Sequence, residues 1–177
     1  MVNKGIIKYW EHIGGRIDFI NLKVHSKEEI RERMMYADLT YIVGGKTLVY
    51  SRLFHEADIV DVIKEVAEKR VVMGTSAGSI VLGKQIQSKK YWKERYNMDL
   101  EDIEYDELNI VPFNILPHHL REDHKQWTTE FWEKVLSDNP FRVYAITDEQ
   151  AVAYIDGAIK YIGGEPEVFG KDIKRLT

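Results

Sequence analysis

The sequence contains no cysteine among its 177 residues. Disulfides, thiolate catalysis and cysteine-based zinc sites are therefore excluded. No apolar run approaches the roughly 20 residues of a membrane span, and the opening segment MVNKGIIKYWEHIGG lacks the long apolar stretch of a signal peptide. We expect a cytoplasmic protein that does not associate with a membrane.

The chain also lacks an excess of positive charge. Its net charge is −4 and its isoelectric point is about 5.9. Nucleic-acid binding requires a basic face, so no nucleic-acid partner is expected. The sequence shows no repeat, low-complexity tract or linker, and its length suits one folded unit. We expect a single α/β domain over residues 1–177.

Helical and strand patterns alternate through the first half of the chain. Helices are predicted at 5–13, 26–37, 56–69 and after residue 76, and strands at 16–22, 39–45 and 70–74. Such alternation predicts a mostly parallel sheet covered on both faces, a three-layer sandwich. Further on, β-rich runs are predicted at 108–119 and 141–164, a helix at 126–140, and a tight turn at Asp156-Gly157.

A serine stands at the apex of the predicted turn in RVVMGTSAGSIVLG. Residues 74–78, GTSAG, fit the G-x-S-x-G pattern of a nucleophile elbow, and the predicted strand before it and helix after it are the required context. Small neighbours let such a turn close. Ser76 is then exposed at the carboxyl end of the sheet, and the Ala77 N–H is free to bind an oxyanion.

A serine nucleophile needs a base, and His118 is the best placed of the six histidines. It follows the apolar run NIVPFNILP, and functional groups gather at strand ends in such sheets. Asp148 and Glu149 end another predicted strand and could orient the imidazole. The chain order of serine, histidine and acid differs from the order in α/β-hydrolases, which makes an ordinary lipase or esterase less favoured.

Two glycines, Gly44 and Gly45, end the predicted strand in YIVGGKT. Glycine allows the backbone to approach a ligand closely. The N–H of Gly45 could complete an oxyanion hole with Ala77, although a simple tight turn would also explain the pair.

Four segments of the sequence occur together in one order: ADLTYIVGGKT, VVMGTSAGSIVLG, LNIVPFNILPHH and AITDEQAVAYIDG. In order and spacing they resemble the dipeptidase E and cyanophycinase family of serine peptidases, and they span residues 37–157. That family is similar to class I glutamine amidotransferases in fold, with serine in place of their cysteine. The resemblance implies peptide hydrolysis without a metal or organic cofactor.

The same resemblance implies roles for individual residues. Ser76 is the nucleophile, His118 the general base, and Gly45 and Ala77 the oxyanion donors. Glu149 matches the acid of cyanophycinase-like members and is the favoured third residue. Dipeptidase E has an aspartate between its serine and histidine, and the candidates in that stretch are Asp99, Asp102 and Asp106.

The sequence departs from the family at three places. Its GGKT replaces the usual GGNT, so Lys46 could attract an acidic substrate. HLREDHKQWTTEF replaces the GETR-like stretch associated with an N-terminal aspartate, leaving Arg121 as the nearest guanidinium. The usual first strand is absent from the segment before residue 16, and a homo-oligomer could cover the unpaired backbone groups that this would leave.

We therefore predict a serine peptidase that hydrolyses short peptides through a Ser-His-Glu triad. Two further functions remain open: a non-catalytic binding or assembly protein on the same fold, and an esterase or amidase that uses the same triad on another substrate.

Overall fold

Helices and strands alternate along the first half of the chain in this computed structural model, which describes residues 4–84, 107–123 and 140–170. The helices are α1 (Lys4–His12), α2 (Lys27–Tyr36), α3 (Thr47–Glu56), α4 (Val60–Lys69) and α5 (Ala77–Val81). The strands are β1 (Leu39–Ile42), β2 (Val71–Gly74), β3 (Asn114–Leu116), β4 (Val143–Ala145), β5 (Ala151–Ile155), β6 (Ala158–Ile162) and β7 (Glu167–Phe169). The chain is thus a mixed α/β protein.

Helix α2 begins at a capping box that the sequence predicts. The Ser26 side chain accepts a hydrogen bond from the Glu29 N–H, and the Glu29 side chain accepts one from the Ser26 N–H. Two backbone donors at the helix start are thereby satisfied. Ile30 and Met34 are buried on its inner face, where α2 packs against α4. Full burial of one such side chain contributes about 1.5–3 kcal/mol.

A large buried cluster among the described residues joins α2, α3, α4 and α5 to β1 and to the chain after α5. Its buried members are Ile30, Met34, Ile42, Phe54, Ile59, Val62, Ile63, Val66, Val81, Leu82 and Leu108. The cluster lies beneath the pair formed by β1 and β2, which run parallel with Ile42 opposite Gly74. The carboxyl ends of these two strands therefore lie side by side.

A second parallel pair is formed by β3 and β4, with Leu116 opposite Ala145, and β7 adds to β4 antiparallel. The hairpin of β5 and β6 turns at Asp156 and Gly157, which have φ angles of 50° and 80°. Positive φ at both central residues is the backbone of a type I′ turn, so the predicted tight turn is confirmed.

Asn114 joins the two parallel pairs. It is fully buried, and its side-chain amide donates a hydrogen bond to the Lys84 carbonyl just after α5. Its side-chain oxygen accepts from the Ile115 N–H at 2.6 Å. The backbone adds a bond from the Lys84 N–H to the Phe113 carbonyl at 2.9 Å. The segment that follows α5 is therefore held against the start of β3.

The structure corrects two parts of the predicted pattern. Residues 16–22 form no strand: the chain turns after Asn21, whose side chain accepts a hydrogen bond from the Lys23 N–H, and Ile20 and Leu22 pack against the large cluster. Helix α3 is not predicted by the sequence pattern. It begins directly after the GGK turn and buries Leu48 and Phe54.

Within the described ranges, the strands form three small sheets of two, three and two strands, rather than one mostly parallel sheet. The three-layer arrangement and the absence of the usual first strand stay predictions. The helix predicted at 126–140 falls, except for its last residue, outside the described residues. Among the residues that the structure describes, no helix is both long enough and apolar enough to span a membrane.

Candidate active site

Ser76 lies at a sharp turn between β2 and α5. Its backbone angles are φ 51° and ψ −121°, a conformation that non-glycine residues rarely adopt. The carbonyl of Ser76 accepts bonds from the Ser79 N–H at 3.0 Å and the Ser79 hydroxyl at 2.6 Å. The first turn of α5 therefore supports the strained residue. Ala77 is the first residue of α5, so the helix supplies no acceptor for its N–H.

The glycines on either side of Ser76 are required by close backbone packing. A Cβ at Gly74 would lie 2.3 Å from the Gly78 carbonyl oxygen, and a Cβ at Gly78 would lie 2.1 Å from the Ile42 carbonyl oxygen. Both distances are far below van der Waals contact. The two outer glycines of the motif thus let α5 approach β1 and β2 closely enough for the turn to form.

Gly44 faces Ser76 across the carboxyl ends of β1 and β2. The parallel register sets Ile42 beside Gly74, so the residues two positions beyond each strand become neighbours. A Cβ at Gly44 would lie 3.3 Å from the Ser76 Cβ and 3.8 Å from its Oγ. Gly44 therefore borders the serine, and the role of the Gly45 N–H as an oxyanion donor stays a prediction.

Gly45 faces the opposite direction, toward α3. A Cβ there would lie 3.1–3.2 Å from the ring and hydroxyl of Tyr50, whose hydroxyl donates to the Gly44 carbonyl at 3.1 Å. Lys46 is exposed, immediately precedes α3 and accepts bonds at its carbonyl from the Val49 and Tyr50 N–H groups. No sequence pattern indicated a role for Tyr50, because α3 was not predicted.

His118 reaches Ser76 from the second parallel pair. It lies two residues beyond β3, and backbone bonds of 2.9 Å from Ile146 to Leu116 and from His119 to Ile146 extend the pairing of β3 and β4 past their ends. The φ angle of His118 is 63°. Its Nε2 lies 3.0 Å from the Ser76 Oγ, so the structure brings the predicted nucleophile and base together.

The carboxylate on the other side of this imidazole belongs to Asp148. The Asp148 Oδ1 lies 2.5 Å from the His118 Nδ1. The sequence favoured Glu149 for this position. Asp148 and Glu149 are the two central residues of one turn, which is closed by a 3.2 Å hydrogen bond from the Gln150 N–H to the Thr147 carbonyl. This turn directs the side chain of Asp148 toward His118, just beyond β3.

The geometry therefore replaces Glu149 with its neighbour Asp148 as the group that contacts the imidazole. Glu149 is exposed. The three aspartates between the serine and the histidine, Asp99, Asp102 and Asp106, fall outside the described residues.

The electrostatics favour an ionised carboxylate beside the histidine. The hydrogen bond with His118, assisted by the positive charge of Arg121 and opposed by partial desolvation, holds the pKa of Asp148 below its ordinary value. Arg121 Nη1 lies 3.6 Å from the second Asp148 oxygen, and Asp123 holds the same guanidinium at 2.7 and 2.9 Å. Arg121, noted in the sequence only as the nearest guanidinium, thus borders the site.

The remaining histidines have other surroundings. His119 Nε2 contacts the Glu167 carboxylate of β7 at 2.8 Å, so its side chain is directed away from Ser76. His25 lies beside Arg33, and His124 falls outside the described residues. No group of three side chains suited to a metal ion occurs among residues 4–84, 107–123 and 140–170.

The chain resembles known proteins both in sequence and in fold. The model of peptidase family S51 matches residues 4–162. Among solved structures, the fold is similar to the 1.5 Å crystal structure of a Listeria monocytogenes EGD-e protein named "Putative Peptidase E Protein", with a TM-score of 0.70 and 22% sequence identity, covering 88% of this chain and 74% of that one. No curated protein matches the chain.

Proposed function

The chain belongs to peptidase family S51, and from that membership we propose that it is a serine peptidase acting on short peptides through Ser76, His118 and Asp148. The observation that carries the proposal is the continuous line of contacts from the Ser76 Oγ to His118 Nε2 at 3.0 Å and from His118 Nδ1 to Asp148 at 2.5 Å. This line has the order of nucleophile, base and orienting acid found in Ser-His-Asp hydrolases.

The first step is attack of Ser76 on the peptide carbonyl carbon. In the tautomer that carries its proton on Nδ1, His118 donates to Asp148 and leaves Nε2 free to accept the Ser76 hydroxyl proton. As the new C–O bond forms, that proton moves to Nε2, and the ionised Asp148 stabilises the resulting imidazolium. The low pKa of Asp148 keeps the carboxylate charged for this role.

The carbonyl oxygen becomes negatively charged in the tetrahedral intermediate. The N–H groups of Gly45 and Ala77 are the donors we assign to it, since Gly44 borders Ser76 and Ala77 begins α5. The imidazolium then gives its proton to the leaving amine, and the C–N bond breaks. Water attacks the acyl-serine with His118 again as base, which releases the carboxylic acid and restores Ser76.

The strained turn at Ser76 supports the same assignment. Its φ of 51°, and the close packing of Gly74 and Gly78 against backbone carbonyls, support the proposed nucleophile elbow. Backbone strain of this kind clusters at active sites. The short-peptide substrate rests on the sequence resemblance to dipeptidase E, and a homo-oligomer and a cytoplasmic location stay predictions.

The proposal is tested by intact-mass spectrometry after incubation with a fluorophosphonate, using wild type, Ser76→Ala and His118→Ala. We expect a single adduct on wild type, none on Ser76→Ala, and labelling slowed by roughly 10⁴-fold or more in His118→Ala, because loss of the base costs at least as much as loss of the acid that orients it. Circular dichroism of each variant establishes that it is folded.

Absence of an adduct on folded wild-type protein would overturn the proposal in favour of a binding or assembly protein. If the adduct forms, the rates on aryl esters and on aminoacyl amides separate a peptidase from an esterase. A series of peptides of increasing length then tests the substrate: kcat/KM should fall as the chain lengthens beyond a few residues.

A further inference from the structure

The Gly44–Gly45 peptide requires a fixed orientation if Gly45 is an oxyanion donor. Glycine on both sides of a peptide bond gives it unusual rotational freedom, because neither residue has a Cβ to restrict φ and ψ. Rotation of this peptide by half a turn would exchange its N–H for its carbonyl oxygen. A carbonyl facing the reacting centre would repel the developing negative charge that the donor is meant to stabilise.

One side chain is placed to prevent that rotation. The Tyr50 hydroxyl donates a 3.1 Å hydrogen bond to the Gly44 carbonyl, reaching back from the first turn of α3. In a trans peptide the carbonyl and the following N–H point in opposite directions, and the described backbone contains no cis peptide. Holding the Gly44 carbonyl toward Tyr50 therefore holds the Gly45 N–H on the opposite side.

We propose that Tyr50 is a positioning residue for the oxyanion hole, one that fixes the Gly44–Gly45 peptide so that the Gly45 N–H is directed to the side of Ser76. This inference rests on the proposed function. Ser76 lies beside Gly44, since a Cβ at Gly44 would be 3.3 Å from the Ser76 Cβ. The Tyr50 ring lies beside Gly45. The two glycines are thus confined between the nucleophile on one side and the tyrosine on the other.

The tyrosine itself is held rigidly enough for this role. Its ring stacks on Phe54 with centroids 5.7 Å apart and planes inclined by 9°, and its N–H donates to the Lys46 carbonyl at 3.1 Å. Partial burial, with a smaller effect from Tyr41, raises the pKa of Tyr50 above its ordinary value. The hydroxyl therefore remains protonated and able to donate at neutral pH.

Tyr50→Phe removes the hydroxyl and keeps the stacked ring. The measurement is the second-order rate of fluorophosphonate labelling, because the phosphonyl oxygen occupies the oxyanion hole as Ser76 reacts. We expect labelling to slow about tenfold, less than the hundredfold or greater loss on deleting a donor, since the N–H is still present. Tyr36→Phe, which removes a hydroxyl from a side chain 88% exposed, is the matched control and should label at the wild-type rate.

A second measurement separates positioning from general loosening of the fold. In protein labelled with ¹⁵N-glycine, the Gly45 amide resonance, identified by its loss in Gly45→Ala, should move downfield on phosphonylation of wild type. It should move much less in Tyr50→Phe, while the melting temperatures of the two proteins stay close. A role limited to stability would lower the melting temperature and leave this shift unchanged.

Each outcome has a definite meaning. If wild type is labelled, and Tyr50→Phe is labelled at the same rate with the same Gly45 shift, the proposed role of Tyr50 is wrong. The proposed peptidase activity would still stand. Absence of labelling in wild type would overturn both.

Discussion

Ser76 and His118 both adopt left-handed backbone angles, with φ of 51° and 63°, and their side chains meet at 3.0 Å. Forty-two positions separate them in the chain. Each lies two residues past the carboxyl end of a strand in a parallel pair. Non-glycine residues are uncommon in this region of backbone space. Both residues that would exchange a proton therefore have a strained backbone, as do four other non-glycine residues among those described: Asp58, Asn109, Leu120 and Asp156.

The identity of the acid is decided by two isosteric substitutions. Asp148→Asn should slow fluorophosphonate labelling by roughly 10³–10⁴-fold, because an amide favours the wrong imidazole tautomer and cannot stabilise the imidazolium. Glu149→Gln, one residue further along the same turn, should leave the rate nearly unchanged. The reverse ranking would restore Glu149 as the acid and contradict the contact seen between Asp148 and His118.

The strain at Ser76 should be measurable as stability. Ser76→Gly and Ser76→Ala both remove the hydroxyl, but only glycine adopts a positive φ without steric cost. The strain is of order 1–3 kcal/mol, and glycine offsets about 0.5–1 kcal/mol of it through its greater freedom in the unfolded chain.

We expect the free energy of unfolding in urea to be about 1 kcal/mol higher for Ser76→Gly than for Ser76→Ala. This value is the strain that glycine relieves less the entropic cost of glycine in the unfolded chain. Equal m-values for the two variants would show that unfolding exposes the same amount of surface in both, so that their free energies can be compared directly. Greater stability of Ser76→Ala would mean that the turn holds no strain.

A pH dependence of stability should arise where α2 meets α4. Glu65 accepts bonds from Arg31 at 2.6 and 2.7 Å and from Lys69 at 2.7 Å, which lower its pKa from 4.5 to about 2. Because the folded pKa lies below the unfolded one, the stabilisation is complete above pH 4.5 and is lost as the pH falls toward 2.

The measurement compares the melting temperature of wild type with that of Glu65→Gln. The wild-type advantage should be constant above about pH 5 and shrink on acidification. The carboxylate is accessible to solvent, so about 1 M salt should reduce the advantage at neutral pH. An advantage that grows toward pH 2 would contradict the assignment of the low pKa to Glu65.

The sequence was informative where the chemistry of short segments decides the structure. The serine turn is specified by glycines that no other residue could replace, because their Cβ positions fall within 2.1–2.3 Å of backbone oxygens. The start of α2 and the β5–β6 turn are likewise decided by residues that lie close together in the sequence. His118 was predictable because a strand end follows from the apolar run before it.

Other features depend on contacts that a sequence pattern does not contain. Asp148 and Glu149 are adjacent carboxylates in one turn, and only the three-dimensional path of residues 147–150 decides which faces His118. Residues 16–22 alternate like a strand, yet they pair with no other strand among the described residues: Ile20 and Leu22 pack on the large cluster, and Phe19 is exposed. Tyr50 could not be singled out from the sequence, since its role depends on the helix that follows the two glycines.

The bond between Asn114 and the end of α5 has a consequence for the order of events during synthesis. The serine turn leaves the ribosome well before β3 and β4, so a nascent chain can complete its nucleophile with neither base nor acid beside it. The two halves meet as the later segment emerges: the N–H groups of residues 108–110 bond the carbonyls of residues 81–83, and the Asn114 amide bonds the Lys84 carbonyl. The base and the acid of the proposed peptidase would join the serine only after residue 148 has emerged, and a half-made chain would leave the peptides around it intact.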